Sequence, residues 1–257
     1  MLEILGFQPK EVHGNKQNGI VQASGSDGRQ FCLTFDDGRI YYDVPQIYSV
    51  DHLATNLPDT NKIVEITTNF LPKIGIQMSE IRKYPNGKPI ISYDPNPQGR
   101  IYFLHNFTTV TNLDHRLIAF RRALDGIVYY GSGGNGTIDY GDNGRILDIM
   151  IYWRGVKRVK QVPTLNKEEI LKCLKNGRCY FPRWVYLPYD DNRIDIDWAQ
   201  VKHLTINKVE PRYLGNEYPE GQMPIHWFIL PFAVLQARVD MPTTNLNIEI
   251  DCPLIEH

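Results

Sequence analysis

Residues 126–153 read GIVYYGSGGNGTIDYGDNGRILDIMIYW. Three short runs rich in β-branched and aromatic residues stand out: Gly126 to Tyr130, Gly136 to Tyr140 and Arg145 to Trp153. Runs of this kind, bounded by glycine, read as strands. Asp142-Asn143-Gly144 lies between the last two, and an Asn-Gly step accepts positive φ at low cost, so it predicts a hairpin. The same punctuation continues outward. Asp27-Gly28 and Asp37-Gly38 bracket Gln30 to Asp36, and Arg39 to Val44 follows, so residues 19–44 predict a strand meander. Asn86-Gly87 and Asn176-Gly177 mark further turns.

Two stretches predict helices. Asp59 to Leu71 places Ile63, Ile66, Thr67, Phe70 and Leu71 on one face; Asp59 or Thr60 can cap it, and Pro72 is expected to stop it. In the second, Asn166 precedes Glu169 by three residues, the spacing at which cap and side chain satisfy each other's free amides. Ile170, Leu171, Cys173 and Leu174 supply the apolar stripe, Lys172 and Lys175 favour the negative end of the dipole, and Gly177 fits the left-handed stop. Each helix is followed by a strand-rich block. After the first come Arg100 to Val110 and Arg116 to Arg122; after the second come Tyr180 to Leu187, Gln200 to Val209, Pro224 to Val239 and Leu246 to Cys252.

The expected fold class is therefore α+β and strand-rich, with an N-terminal β meander (1–47) and two helix-on-antiparallel-sheet units (48–160 and 161–257). A single β-sandwich carrying two helices is the alternative.

Bulk composition excludes several classes. The chain has 257 residues, 42% hydrophobic and 22% charged, an ordinary globular balance. With 28 basic against 29 acidic residues the formal net charge is −1, so no broad positive field draws in nucleic acid. The basic run Lys157-Arg158-Val159-Lys160 is short and reads as a solvated strand end. The longest apolar stretch, Trp227 to Leu235, contains Pro231 and falls far short of the ~20 residues a membrane-spanning helix needs. No positively charged start followed by an apolar core is visible at the N-terminus, which leaves two readings open: a cytoplasmic protein, or a mature form without its leader.

No motif for chemistry survives its context. Gly131-Ser-Gly133-Gly-Asn-Gly136 has the spacing of a dinucleotide loop, but that site needs a helix opening directly after the glycines. Here Thr137 to Tyr140 reads as a strand, so the run is read as a hairpin loop. Asp190, Asp191, Asp195 and Asp197 lack the glycine and closing glutamate of a calcium loop and read as a solvated edge. The seven histidines are scattered, with no H-E-x-x-H, and no G-x-S-x-G elbow occurs.

Cys32, Cys173, Cys179 and Cys252 permit two disulfides in three connectivities, with buried free thiols as the other reading. Cys179 beside Arg178 could be an activated thiol, but no base accompanies it and pairing with Cys173 is favoured over that role. Accordingly no catalytic, cofactor or metal residue is assigned. The aromatic load points elsewhere. Tyr129-Tyr130 and Tyr152-Trp153 place one ring on each side of a strand, and with Trp184 they form the candidate interaction surface, for a protein partner or for sugar rings.

Three segments together resemble the PepSY-type sheet: Phe120 to Gly131, Gly136 to Leu147, and Tyr152-Trp153-Arg154-Gly-Val156. Asn166 to Leu174 with Pro224 to Val234 is similar to the same family's helix-then-strand rhythm, although Ile170 stands where a small residue is usual. The resemblance spans about residues 50–257. Such paired units occur in extracytoplasmic accessory proteins of Gram-positive sensor kinases and in propeptides of thermolysin-like proteases. It implies a non-enzymatic, regulatory module outside the cytoplasm that binds an unidentified protein and carries no catalytic residues. A structural subunit that self-assembles and a carbohydrate-binding β protein are the alternatives.

Overall fold

The computed structural model describes residues 1–15, 17, 19–36, 38–44, 56–93, 98–103, 109–130, 133–156, 163–186, 193–214 and 229–255. Asp190, Asp191, the Lys157–Lys160 run, Gly131, Ser132 and Pro224 to Phe228 lie outside the described residues. The chain divides into two compact units, Met1–Lys157 and Arg158–His257.

In the first unit the strands are β1 (Val12–Asn15), β2 (Ile20–Ser24), β3 (Gln30–Thr34), β4 (Arg39–Asp43), β5 (Ile91–Tyr93), β6 (Gln98–Phe103), β7 (Thr109–Arg121), β8 (Ala123–Leu124), β9 (Ile127–Tyr130), β10 (Gly134–Tyr140) and β11 (Ile146–Trp153). One helix, α1 (Thr60–Phe70), sits between β4 and β5 in sequence. Among the described residues, nine strands join in one antiparallel sheet of order β1-β2-β3-β4-β11-β10-β7-β5, with β6 on the other half of the long β7. The N-terminal meander is continuous with this sheet, because β4 pairs with β11 from Asp43↔Asp148 to Arg39↔Tyr152. β8 and β9 form a small hairpin.

Alternation explains which face is buried. Successive side chains on a strand point to opposite faces. Gly136, Ile138 and Tyr140 on β10, Leu147, Ile149 and Ile151 on β11, Ile40 and Tyr42 on β4, and Ile118 and Phe120 on β7 are all buried. Helix α1 contributes Ile63, Thr67 and Phe70 to the same core. The Tyr140 hydroxyl, fully buried, shares a 2.8 Å hydrogen bond with Thr67 Oγ1. Burial pushes that phenol up to about 12.

Helix α1 starts as its sequence predicts, with Asp59 accepting from the Lys62 amide at 2.9 Å. The α-helix ends where Pro72 predicts, with Leu71 as its C-cap. Leu71 keeps α dihedrals, however, and the chain carries on as a 3-10 turn over Leu71–Ile74 with the proline in its first turn. A proline there loses no helical hydrogen bond, since its amide would be unpaired anyway. Gly75 at φ 90° ends that turn.

The second unit holds α2 (Lys167–Lys175), β12 (Trp184–Tyr186), β13 (Arg193–Asp195), β14 (His203–Leu214), β15 (Leu230–Asp240) and β16 (Asn245–Pro253). β14, β15 and β16 run as an antiparallel meander, and β12 pairs with β13. The Asn166 carboxamide accepts from the Glu168 and Glu169 amides at 2.9 and 3.1 Å, and Glu169 Oε2 accepts from the Asn166 amide at 2.7 Å. Leu171 departs from its expected place on the apolar stripe and is exposed. At 3.6 residues per turn it stands about 160° from the buried Cys173, on the far side of the helix. Asp195 is exposed on β13 while Ile196 is buried, and Asp197 accepts from the Ala199 amide at 3.1 Å to start a short turn. The chain is thus a strand-rich α+β protein built on antiparallel sheets with few helices.

One polar group locks the first unit's core. Arg122, 3% exposed, pairs with Glu80 at 2.7 Å, donates to the Arg154 carbonyl and lies 5.0 Å over the Trp153 ring. Trp153 Nε1 donates to the same Glu80 carboxylate at 3.0 Å. Arg122→Ala removes the cation, its carbonyl contact and its packing on Trp153 and should lower stability by about 2–4 kcal/mol; Glu80→Gln, which leaves the buried guanidinium without its counter-charge, should cost about as much. Urea titration measures both, and a loss below about 1 kcal/mol for either would contradict this pairing.

Candidate functional site

The face of the large sheet turned away from its core carries three rows of side chains. Directly paired residues on neighbouring strands share a face, so register decides each row's composition. The first row runs Arg39, Tyr152, Asn135, Arg121 across β4, β11, β10 and β7. The second runs Tyr41, Met150, Thr137, Ala119. The third runs Asp43, Asp148, Asp139, Leu117. At about 3.4 Å per residue, the first and third rows are roughly 14 Å apart.

The first row is cationic and aromatic. The Arg39 guanidinium lies 5.2 Å from the Tyr152 ring centroid, and Arg121 lies 4.5 Å from that of Tyr130. A guanidinium over an aromatic face is attracted by the ring's negative face, so each arginine and its tyrosine favour each other. Beside them is a groove of about 380 Å³, with Arg82, Arg121, Asn135 and Tyr152 as polar lining over Ile90 and Ala119. Met150, 43% exposed, adds an apolar side chain to the same lining.

The third row is acidic. Asp148 stands opposite Asp139 on one side and Asp43 on the other. Partial burial, then the two neighbouring carboxylates, pushes Asp148 up to about 6, with His115 pulling weakly the other way. His115 Nε2 lies 3.8 Å from Asp139 Oδ2. Tyr41 is raised as well, first by burial and then by Asp43 and Asp148. Among the described residues, no group of three or more His, Cys, Asp or Glu is arranged to hold a metal ion.

The five aromatics singled out from sequence are divided by this arrangement. Tyr130 and Tyr152 are half-buried and stacked under arginines at the cationic row. Tyr129, 4% exposed, is withdrawn from any surface, and its ring fills the space over Gly134, where a Cβ would fall 1.8 Å from Tyr129 Cδ1. Trp153 shares the inward parity of Ile149 and Ile151 and packs on Phe120 at 5.9 Å. Trp184, in the second unit, is 40% exposed with Arg193 at 5.2 Å from its ring. Of the G-x-G-x-x-G run, Gly133 at φ 105° precedes β10 and Gly136 lies within it, where a Cβ would meet Phe120 and Ile151 within 3 Å. Close packing is the physical role of Gly136.

Arg39, Arg121, Met150, Asp43, Asp139 and Asp148 carried no local signal, because each is an ordinary outward strand residue until register aligns them. No protein-family model matches the chain, and no curated protein matches it. Among the described residues, no helix is long and apolar enough to cross a membrane.

The raised Asp148 has a definite consequence for stability. A carboxyl whose folded value of about 6 exceeds its ordinary 3.8 favours folding when protonated. That contribution is complete below about pH 4 and is lost as pH rises through 6. Asp148→Asn removes the charge, so it should stabilise the chain at pH 8 by about 1–2 kcal/mol after discounting for solvent screening, with little gain at pH 4. Thermal melts at the two pH values measure this; equal effects at both would refute the coupling.

Proposed function

We propose that this chain is a non-enzymatic protein-binding module that grips a charged, extended partner segment across β4, β11, β10 and β7. The observation that carries the reading is the polarised face: an arginine–tyrosine row at one end, a carboxylate row at the other, and Met150 and Tyr41 between. Arginine and tyrosine are enriched where interfaces concentrate binding energy, and Met adapts to irregular partners. Opposed charge rows orient a partner and set its register more than they add raw affinity. A segment with acidic and basic side chains about four residues apart when extended matches the row spacing.

The resemblance to the PepSY type supports the same class of function and extends it to a finer reading. In that reading α1 and α2 each serve a helix-plus-sheet unit, and the protein acts outside the cytoplasm as a regulator of its partner. The fold analogy is associational and names no partner.

A displayed library of random 12-residue peptides, selected on the immobilised full chain, tests the proposal. Enriched peptides should carry both charge signs. Their binding should fall at least tenfold in Arg39→Glu/Arg121→Glu, weaken as salt screens the rows, and survive Trp184→Ala. Binders indifferent to the double reversal, or glycan-array hits in place of peptides, would overturn it.

A further inference from the structure

Three of the four cysteines meet in the second unit. Cys173 on α2, Cys179 just beyond it and Cys252 on β16 are buried at 5%, 7% and 0% exposure, all within one apolar cluster. Burial, and then the neighbouring Cys179 and Cys173, raise the Cys252 thiol. All four cysteines of the chain stand as free thiols in this structure.

The backbone distinguishes the possible pairs. Tyr180 and Asp251 form an antiparallel bridge in which each amide donates to the other's carbonyl, at 2.7 and 3.2 Å. In an antiparallel pairing the next opposed residues are therefore Cys179 and Cys252. They flank a pair that exchanges both hydrogen bonds, so they occupy the non-hydrogen-bonded position, where Cα atoms approach to about 4.5 Å and side chains lie closest. That separation falls within the range a disulfide spans, roughly 4.4–6.8 Å, and opposed residues point to the same face. Cys173 reaches the cluster from a helix, with no such register to align its Cβ.

We infer that Cys179 and Cys252 are the cross-strand disulfide site of this protein, closed when the chain folds in the presence of a small-molecule disulfide of the glutathione class. The sequence-adjacent pairing of Cys173 with Cys179 is then not the one formed. The chemistry is thiol–disulfide exchange. One cysteine thiolate attacks the small disulfide, forming a mixed disulfide and releasing one small thiol. The second cysteine attacks the protein sulfur of that mixed disulfide, which closes the Sγ–Sγ bond and releases the second small thiol. Two electrons and two protons pass from the cysteines to the small disulfide.

Burial sets the timing. In the folded chain both thiols are shielded, and burial raises each above the ordinary thiol range, which suppresses the nucleophilic thiolate. Exchange therefore precedes closure of the core, and the finished bridge is shielded from reductant in turn. It ties β16 to the segment following α2 across a long loop of the unfolded chain, the case in which a cross-link restricts the unfolded ensemble most. Cys173 remains a thiol beside it, filling the helix–sheet contact.

The full chain, reduced and unfolded, is refolded in a glutathione redox buffer, denatured, alkylated and digested with trypsin. Cleavage after Lys172, Lys175 and Arg178 puts Cys173 and Cys179 on separate peptides. The expected product is a Cys179–Cys252 cross-linked peptide, with Cys32 and Cys173 alkylated. The oxidised chain should melt about 10 °C or more above the reduced one. Cys173→Ser should keep both bridge and shift, and Cys179→Ser should lose both. A bridge that includes Cys173 or Cys32, or four alkylated cysteines in the refolded chain, overturns the assignment from the wild-type digest alone.

Discussion

Cross-strand register between β4, β11, β10 and β7 is the constraint on which the first unit depends. Side chains alternate along each strand, so one register choice decides at once which residues build the core and which face outward. Pairing Ile149 with both Ile138 and Tyr42 stacks apolar side chains on the inner face, where α1 covers them. The same choice lines up Asp43, Asp148 and Asp139 on the other face, although like charges directly opposite cost stability. Burial of the isoleucine side dominates. Each fully buried aliphatic side chain contributes about 1.5–3 kcal/mol, while partly solvated carboxylates repel by less.

Polar groups inside the unit follow the rule that burial demands partners. Tyr140 and Thr67 satisfy each other between sheet and helix, and Thr67 also donates to the Ile63 carbonyl. Arg122, Glu80, Arg154 and Trp153 form the larger example, joining the end of β7 to the end of β11 through one carboxylate and one carbonyl. Trp153, which sequence suggested as surface, is recruited by this cluster because its strand parity points inward and Glu80 accepts its indole N–H. The outward face keeps Tyr152, whose parity is opposite. Two adjacent aromatics thus take different roles for a reason one residue wide.

How much of this was legible depends on how far apart the interacting groups are in sequence. The helix caps at Asp59 and Asn166, the Asn143 turn at φ 55°, and the left-handed stop at Gly177 were readable because donor and acceptor lie within a few residues. Pro72 ends the α-helix as read, but the 3-10 turn beyond it was not legible, because a proline also fits the first turn of a new helix. The carboxylate row was not readable even by counting outward from the hairpin. Tyr140 faces Ile146, but a bulge shifts the next pair to Asp139↔Asp148, and without it Asp139 would face Leu147.

The sequence by itself therefore determined a strand-rich α+β chain with little net charge, its turns, its two capped helices and its supply of arginine, tyrosine, aspartate and cysteine. Tertiary structure alone decided which tyrosines reach the surface, which aspartates stand side by side, and which cysteine faces Cys252. The division is physical. Turns and caps are set by bond geometry and hydrogen bonds between near neighbours, whereas rows and thiol pairs arise between residues tens of positions apart, whose meeting is chosen by the burial of the whole opposite face.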